Sequence, residues 1–302
     1  MTAQITNVAI IGASGSIGKI ILDALLTSSR FTVTVLSRHS STATFPANVN
    51  VRKTNFSESE LQTALQGQDA VVSALGVAGF SDQKKVIDAA VRAGVKRFIP
   101  SEFSVNTLSD AVLRLLPLFG QKKEVLEYLK SKESEGLTWT GIGTGLLFDW
   151  GLSNGFLGYD IDSHTATIWD SGDKPFTLTN SNQLGQAVVS VLQQPSETAN
   201  QYFYVASVVT SQEGILNALE EATATKWTVS YTSTEAQVSE ARKRIGKGDS
   251  SAAYALVRAT TFGNLDGLRA DYTKEENLAN DLLGLKLESV QETVQRVAKS
   301  ST

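Results

Sequence analysis

The stretch NVAIIGASGSIGKIILDALL, residues 7–26, constrains the fold most, because a short apolar run leads through closely spaced glycines into a second apolar segment. Val8-Ala9-Ile10-Ile11 is the continuous apolar run typical of a strand that is buried on both faces. Beyond Gly18, apolar residues recur at helical spacing. A strand, a glycine turn and a helix in this order favour a dinucleotide-binding turn over a glycine-rich loop without a ligand.

Each glycine of this turn meets a different physical requirement. Gly12 permits the sharp turn off the strand, Gly15 lets the backbone approach a pyrophosphate, and Gly18 lets the helix pack closely on the sheet. The first-turn amides and the positive end of the helix then face the anion. The residues predicted to contact a cofactor here are Gly12, Ser14, Gly15, Ser16, Ile17 and Gly18.

The first half of the chain alternates strand-like and helix-like segments. This alternation predicts an α/β fold, namely an NAD(P)-binding Rossmann-like, doubly wound parallel sheet. Ligands in such sheets bind at the carboxyl ends of the strands. We therefore expect cofactor contacts from residues at two strand ends, Asn55 and Ala74-Leu75-Gly76. The further strands are predicted at 31–38, 48–56, 70–76 and 95–103, and the helices at 58–65 and 82–94.

The end of the second strand indicates which dinucleotide binds. NAD sites place an Asp or Glu there, about 20 residues beyond the glycines, to hold the ribose hydroxyls. This chain has LSRHSS instead, with Arg38 and no acidic residue. Arginine pairs with a 2′-phosphate through a forked, charge-assisted contact, to which Ser37 and His39 could add donors. The sequence favours NADPH as cofactor, the alternative being a solvated arginine at a strand end.

Composition excludes several classes of function. With 27 basic and 31 acidic residues interspersed and a net charge of -4, the chain has no basic stripe for nucleic acid. No apolar run approaches the ~20 residues of a membrane span, so we expect a cytoplasmic protein with no membrane partner. Zero cysteines and two histidines argue against disulfides, thiol catalysis and a metal site. The expected partner is a small-molecule substrate, and the oligomeric state, monomer or homodimer, stays open.

The predicted domains are interleaved. Residues 1–150 form an NADP-binding Rossmann domain, to which 177–206 return. Residues 151–176 and 207–302 form a smaller α/β domain that we predict to bind substrate.

Three further elements are predicted in this second half. A hairpin is predicted over 164–180, around Ser171-Gly172-Asp173. A helix at 182–192 and a strand at 201–206 follow it and lead back to the main sheet.

Several motifs together resemble the NmrA-like and isoflavone-reductase-like family of atypical short-chain dehydrogenases, and its fungal members most. They are GASGSIG, the SR after the second strand, the ALG at a strand end, and RFIPSEF, and they span about the first 150 residues. The family usually has an Asp-Ile-Gly/Ala helix start, where this chain departs with Asn182-Gln183-Leu184-Gly185. The resemblance implies either an NADPH-binding reductase of secondary metabolites or a redox-sensing regulator that binds dinucleotide without turnover.

One lysine stands on an apolar helix face. A helix is predicted from Pro117 to a stop at Gly136, and Lys122 falls at the centre of its apolar stripe. A buried ammonium is costly without a partner, so this position is unusual. The resemblance points to the same residue, because a reductase lysine recurs in a Phe-x-x-Lys context. We predict that Lys122 is catalytic and contacts the cofactor. The stripe comprises Leu118, Phe119, Val125, Leu126 and Leu129.

A competing motif lies later in the same helix. Tyr128 and Lys132 have the Tyr-x-x-x-Lys spacing that typical short-chain dehydrogenases use for proton donation. They lie roughly 120° and 80° off the apolar stripe, respectively. We interpret this spacing as chance.

The predicted function is the NADPH-dependent reduction of a small, aromatic or polyketide-like metabolite, with hydride transfer and a lysine-assisted proton transfer. Ser101 is predicted to act in catalysis by placing the substrate, whereas Glu102 is as well explained by a structural role. Alternatives are a non-catalytic NADP(H)-sensing regulator that binds a partner protein, and a redox-neutral isomerase or cyclase. The residues predicted to bind substrate are Ser101, Phe103, Thr144, Phe148 and Trp150.

Overall fold

The apolar runs of the sequence form strands, and the computed structural model describes residues 4–300. The strands, in chain order, are β1 Asn7–Ile11, β2 Thr32–Arg38, β3 Asn50–Thr54, β4 Ala70–Ser73, β5 Arg97–Ile99, β6 Thr138–Gly143, β7 Leu146–Leu147, β8 Tyr159–Asp160, β9 Thr165–Trp169, β10 Phe176–Thr179, β11 Gln201–Tyr204, β12 Val208–Thr210 and β13 Thr228–Thr232.

Helices connect these strands and follow the last of them. They are α1 Ser16–Thr27, α2 Glu58–Leu65, α3 Gln83–Arg92, α4 Asp110–Leu115, α5 Gly120–Ser131, α6 Phe148–Ser153, α7 Ser181–Gln193, α8 Gln212–Thr223, α9 Thr234–Gly246, α10 Ala253–Phe262, α11 Tyr272–Glu275, α12 Asn280–Leu283 and α13 Val290–Ser300. Single 3₁₀ turns stand at Val77–Gly79, Pro117–Phe119, Glu133–Glu135 and Ser250–Ala252.

The main sheet is the predicted doubly wound one. Within residues 4–300 it has seven strands in the order β3-β2-β1-β4-β5-β6-β11, and the pairs from β3 to β6 are parallel. The direction of winding reverses at β1, because β2 and β4 pair with its two edges. The carboxyl ends of these three strands therefore form the switch point at which such sheets bind ligands.

Contacts divide the chain into two compact units. The first contains residues 4–103, Gly120–Ile142 and Leu184–Phe203, and the second contains Ser104–Phe119, Gly143–Gln183 and residues 204–300. These bounds differ from the predicted ones chiefly because residues 104–119 and 143–150 belong to the second unit. Substrate binding by the second unit stays a prediction.

A buried arginine fastens one side of the first unit. Arg97, on β5, is 2% exposed and donates from Nε to Thr138 Oγ1 at 2.9 Å. Its Nη1 donates to Thr140 Oγ1 and Thr198 Oγ1, each at 2.9 Å, and its Nη2 donates to Pro195 O at 2.5 Å. Burial lowers the pKa of Arg97 to about 10, so the guanidinium stays charged at neutral pH. It ties β5 to β6 and to the segment that precedes β11.

The helix predicted from Pro117 to Gly136 is divided into three parts. Pro117–Phe119 is a 3₁₀ turn, α5 begins at Gly120, and Glu133–Glu135 is a second 3₁₀ turn. Gly136 ends it with a φ of 85°, the left-handed conformation that glycine adopts without strain. Because the 3₁₀ turn ends before Gly120, the angular spacing of an α-helix does not extend to residues 117–119.

The second unit contains two small sheets, and the predicted hairpin over 164–180 is wrong. Strand β9 pairs with β13 and β8, whereas β10 pairs with β12 and β7. The Ser171-Gly172-Asp173 turn therefore links two sheets instead of two paired strands. Turn residues show that the chain changes direction, but pairing depends on partners distant in sequence, such as Thr228 opposite Thr165.

Candidate active site

The switch point of the main sheet opens into a cleft. Its volume is about 370 Å³, and it is built from the carboxyl ends of β1, β2 and β4 with the loops that follow them. These are the strand ends from which the sequence predicted cofactor contacts. The cleft is lined by Ile11, Gly12, Ala13, Ser14, Gly15, Val35, Leu36, Ser37, Arg38, Ser40, Ser41, Phe45, Phe56, Ala74, Leu75 and Gly76.

The glycines of the turn differ in what requires them. At Gly12, φ is 83° and a Cβ would lie 2.4 Å from Ala74 O. At Gly18, a Cβ would lie 2.1 Å from Gly12 O, so the contact of α1 with the turn excludes any side chain. At Gly15 the nearest protein atom to a Cβ is Gly12 O at 3.4 Å, an ordinary contact. Packing therefore explains Gly12 and Gly18, and it leaves Gly15 without a structural reason.

Helix α1 begins at this open glycine. Gly15 is the residue before its first turn, with an ordinary extended φ of -76°. Among the described residues, no side chain caps this helix start and no acidic residue stands in the first turn. Ser14 and Ser16 are exposed and Ile17 is half-buried. The start of α1 thus has first-turn amides and a positive helix end, the combination that binds anions.

Two cations lie at the adjacent ends of β2 and β3. Arg38 is exposed, and its Cζ lies 5.6 Å from the centroid of the Phe56 ring. Lys53, on the neighbouring β3, donates from Nζ to Ser41 O at 2.7 Å and to Ser37 Oγ at 3.5 Å. The sequence prediction missed Lys53 and the lining residue Phe45. Lys53 could have been predicted from the parallel register of β2 and β3, because this register places Lys53 opposite Ser37.

His39 and Asn55 make contacts outside the lining of the cleft. His39 Nε2 lies 3.1 Å from Glu60 Oε2, on α2. The backbone N–H of Asn55 donates to the same carboxylate oxygen at 2.7 Å and, as the largest cause, lowers the pKa of Glu60. The Asn55 side chain accepts from Ser57 N at 2.7 Å. Their cofactor contacts stay predictions.

Lys122 is buried, as the sequence predicted. It is 4% exposed, and Nζ donates to Ser101 O at 2.5 Å and to Glu102 O at 3.0 Å. The ammonium also lies 4.8 Å from the centroid of the Phe80 ring. Burial lowers the pKa of Lys122 to about 8, and the charge of Glu102 acts in the opposite direction. The result is a lysine that titrates near neutrality, as proton-transfer groups require.

The predicted apolar stripe around Lys122 is correct within α5, and before α5 it is wrong for Leu118. Val125, Leu126 and Leu129 are buried in the core of the first unit. Leu118 is 46% exposed, because Pro117–Phe119 forms a separate 3₁₀ turn. A 3₁₀ turn rotates about 120° per residue, so the α-helical spacing of the prediction does not apply to Leu118.

The hydroxyl of Ser101 has a partner within the protein. Ser101 is 7% exposed, its Oγ donates to Leu75 O at 2.7 Å, and its N–H donates to Gln83 Oε1 at 2.9 Å. Glu102 is 1% exposed and accepts the Tyr202 hydroxyl at Oε2, at 3.2 Å. Gln83 and Tyr202 were not predicted, since both are distant in sequence from the RFIPSEF motif. A substrate contact by Ser101 stays a prediction.

Tyr128 and Lys132 are engaged with an acidic residue of α3. The Tyr128 hydroxyl donates to Asp88 Oδ1 at 2.5 Å, and Lys132 Nζ lies 3.2 Å from the same oxygen. Lys132 also pairs with Glu135 at 2.9 Å, which raises the pKa of Lys132. Burial raises the pKa of Tyr128. These contacts favour a structural reading of the Tyr-x-x-x-Lys spacing.

The remaining predicted substrate residues differ in exposure. Phe103, in the first unit, is 7% exposed. In the second unit, Thr144 and Phe148 are fully buried, and Thr144 Oγ1 donates to Gly145 O at 3.0 Å. Trp150 is 37% exposed, with its ring 5.6 Å from that of Phe156. Trp150 thus presents the most ring surface, and substrate contacts by all four stay predictions.

Residues 4–300 contain neither a metal-binding cluster of side chains nor a membrane-spanning helix. No group of histidine, aspartate or glutamate residues within this range is placed to hold a metal ion. No helix within it has the length and apolar character needed to cross a membrane.

The sequence is similar to one protein family and to several known proteins. Residues 4–245 match the NmrA-like family. The chain belongs to the NmrA-like family. This NmrA-like protein is 37% identical to the oxidoreductase aprR of Aspergillus flavus, over 97% of its own chain and 99% of the relative. It is 33% identical to the oxidoreductase poxI of Penicillium oxalicum, over 94% and 91% of the two chains. The predicted family resemblance is confirmed.

Solved structures share the fold of this NmrA-like protein. AtPrR2 with NADP+ and (+)pinoresinol superposes with a TM-score of 0.78 at 18% identity, covering 98% and 99% of the two chains. The leucoanthocyanidin reductase–NADPH complex of Vitis vinifera gives 0.78 at 18% identity, covering 97% and 99%. Isoflavone reductase gives 0.77 at 20% identity, also covering 97% and 99%. The predicted Rossmann-like fold class is confirmed.

Proposed function

We propose that this protein is an NADPH-dependent oxidoreductase of the isoflavone-reductase-like type that reduces a small organic metabolite. Support comes from relatives that carry the name oxidoreductase and from reductases that share its fold. In the chain itself, one observation carries the proposal. The open glycine turn at Gly15 lies in the same cleft as Arg38, with Lys53 beside it.

The residues of the cleft fit a dinucleotide that carries a 2′-phosphate. Gly15 leaves room for a pyrophosphate to reach the amides at the start of α1. Arg38 and Lys53 supply positive charge for the 2′-phosphate, and Arg38 can pair with it through two N–H groups. The segment Ser37–Ser41 contains no acidic residue that would instead hold a ribose diol. These features favour NADPH over NADH.

Lys122 is the proposed proton donor. When bound, the nicotinamide supplies the hydride that reduces a carbon of the substrate. The electron pair of the reduced bond moves onto the substrate oxygen, and the Lys122 ammonium gives that oxygen a proton. The carbonyl oxygens of Ser101 and Glu102 hold the ammonium in one position. A pKa of about 8 keeps Lys122 protonated at neutral pH and makes it a stronger acid than an exposed lysine.

The proposed substrates are aromatic or polyketide-like metabolites with a reducible carbonyl or benzylic carbon. Support for this class comes from the solved structures named isoflavone reductase and leucoanthocyanidin reductase.

Isotope transfer tests the reductase. The protein is mixed with NADPH deuterated at the nicotinamide C4 and with a panel of aromatic ketones, and the products are analysed by mass spectrometry. Deuterium in a product supports the proposal. NADPH binding without transfer to any substrate would favour the dinucleotide-sensing regulator. A product that forms without NADPH consumption would favour the redox-neutral isomerase or cyclase.

A further inference from the structure

We propose that Glu102 is a positioning residue, which acts through Lys122 by holding it as an oriented ammonium, and that Tyr202 fixes the Glu102 carboxylate. This rests on the proposed function, in which Lys122 donates the proton. It assigns to Glu102 a chemical role beyond the structural one that the sequence suggested.

The side chains of Glu102 and Lys122, which carry opposite charges, are both buried. Glu102 is 1% exposed and Lys122 is 4% exposed. Both charged forms are costly to bury unless each has partners. Lys122 Nζ already donates to the backbone oxygen of Glu102 at 3.0 Å, so the two residues are in direct contact. A carboxylate retained beside a buried ammonium stabilises the charged form of the lysine.

The Glu102 carboxylate accepts a hydrogen bond from a residue of β11. Tyr202, on β11, donates its hydroxyl to Glu102 Oε2 at 3.2 Å. The Tyr202 ring lies across Gly141 of β6, where a Cβ would be 2.5 Å from Tyr202 Cδ2. Any side chain at position 141 would displace the ring. The space above Gly141 thus allows a hydroxyl from β11 to reach the carboxylate that follows β5.

The charged groups of α3 and β5 have partners of their own. On α3, Lys84 pairs with Glu124 at 3.0 Å. Asp88 of α3 binds the Tyr128 hydroxyl and Lys132, and Lys85 pairs with Asp82 at 3.4 Å. On β5, Arg97 donates to threonine hydroxyls and to a backbone oxygen. Glu102 is the carboxylate whose charge acts on Lys122, opposing the effect of burial on the lysine pKa.

Two variants separate the charge of Glu102 from its hydrogen bond. Glu102→Gln removes the charge and keeps an oxygen that can accept from Tyr202. Tyr202→Phe removes the hydrogen bond and keeps the charge. Glu124→Gln is the matched control, because it removes an exposed carboxylate from the same helix as Lys122.

The measurement is a pH titration of the Lys122 side chain by NMR, in protein labelled with ¹³C at lysine Cε and without cofactor. The Lys122 signal is assigned by its loss in Lys122→Met. We expect Glu102→Gln to lower the Lys122 pKa by about one pH unit or more. Tyr202→Phe, which keeps the charge but frees the carboxylate, should lower it by less than Glu102→Gln does, and Glu124→Gln should leave it near the wild-type value. An unchanged pKa in Glu102→Gln would overturn the proposal.

Thermal unfolding provides a second readout should Glu102→Gln fold poorly. Without the carboxylate, the Lys122 ammonium is buried without its counter-charge below pH 8, whereas at pH 10 the lysine is neutral in both proteins. Glu102→Gln should therefore lower Tm more at pH 6.5 than at pH 10. An equal loss at both values would indicate a structural tie only and overturn the proposal.

The pH dependence of the single-turnover rate provides a third measurement. With NADPH affinity unchanged, the alkaline fall of the single-turnover rate should move to lower pH in Glu102→Gln. Glu102→Asp, which restores the charge, should move it back toward the wild-type position. If no substrate is ever reduced, the proposed function fails while the lysine titration still decides the role of Glu102.

Discussion

The glycine turn and the Lys122 site lie in the same unit and are built by opposite means. At the turn, residues without side chains leave backbone amides accessible, and exposed cations stand nearby. At Lys122, burial lowers the pKa of the ammonium to about 8, and two carbonyl oxygens accept its hydrogen bonds. The turn thus works through the absence of side chains, and the lysine site through the presence of neighbours. We therefore expect substitutions at Lys122 to lower the reaction rate and substitutions at the turn to lower the affinity for NADPH.

The largest effect is expected at the lysine site. General acid catalysis typically contributes about 10²–10⁴-fold, so Lys122→Ala should lower the single-turnover rate by that order while NADPH still binds. In the wild type, the ammonium is present below its pKa of about 8, so the rate should fall as pH rises through that value. Stopped-flow hydride transfer at several pH values measures both.

Lys123→Ala and Tyr128→Phe are the controls for Lys122. The first removes the same charge one position along the helix, and the second removes the hydroxyl bound to Asp88. Both should react at nearly the wild-type rate. A crippled Tyr128→Phe would instead return the chemistry to the ordinary tyrosine mechanism.

At the turn, Gly15→Val should strongly weaken NADPH binding without unfolding the protein. The valine side chain would occupy the place where a pyrophosphate accepts hydrogen bonds from the backbone amides. Each hydrogen bond to a charged group is worth about 1.5–3 kcal/mol, so the loss of two weakens NADPH binding about 100-fold or more. Fluorescence titration measures the affinity and circular dichroism the fold. Gly18→Ala sharpens the contrast, because its Cβ would lie 2.1 Å from Gly12 O and should lower the free energy of unfolding. An unfolded Gly15→Val would show that packing requires this glycine too.

A smaller effect is expected from the exposed arginine. One charge-assisted contact is worth about 1.5–3 kcal/mol, so Arg38→Ala should weaken NADPH roughly 10- to 100-fold and leave NADH nearly unchanged. Titration of both dinucleotides is the test. Equal losses for the two would contradict the assignment of Arg38 to the 2′-phosphate.

The smallest effect is expected from Lys53. Its ammonium already donates to Ser41 O at 2.7 Å, so part of its hydrogen-bonding capacity is committed within the protein. We expect Lys53→Ala to weaken NADPH binding by about 2- to 5-fold, the range of a screened charge near the surface. The loss should shrink at high salt. A salt-independent loss would indicate that Lys53 only shapes the loop around Ser41.

The sequence predicts the glycine turn well because its signals are local. Strand, turn and helix lie within residues 7–26, and Arg38 follows the next strand. Lys122 was also found, since an apolar stripe of one helix shows which side chains are buried. Leu118 was assigned wrongly because a 3₁₀ turn is not separable from the first turn of a helix by apolar spacing alone.

The missed residues depend on contacts between distant segments. Lys53 lies beside Ser37 through the register of two strands, and Tyr202 reaches Glu102 across 100 positions of sequence. The hairpin over 164–180 failed for the same reason, because β9 has its partner in β13. Periodicity reports which face of an element is buried, and it carries no information about which element covers that face.

The guanidinium of Arg97 has a consequence for how the chain is made. Its acceptors include Thr198, which is 101 positions later, so a ribosome must add that segment before the charge is fully satisfied. Contacts of such long separation form late in folding. An amino-terminal fragment that ends near residue 150 would expose the edge of β6 and leave this cation short of acceptors. We therefore expect the incomplete chain to be more prone to aggregation until β11 has been added.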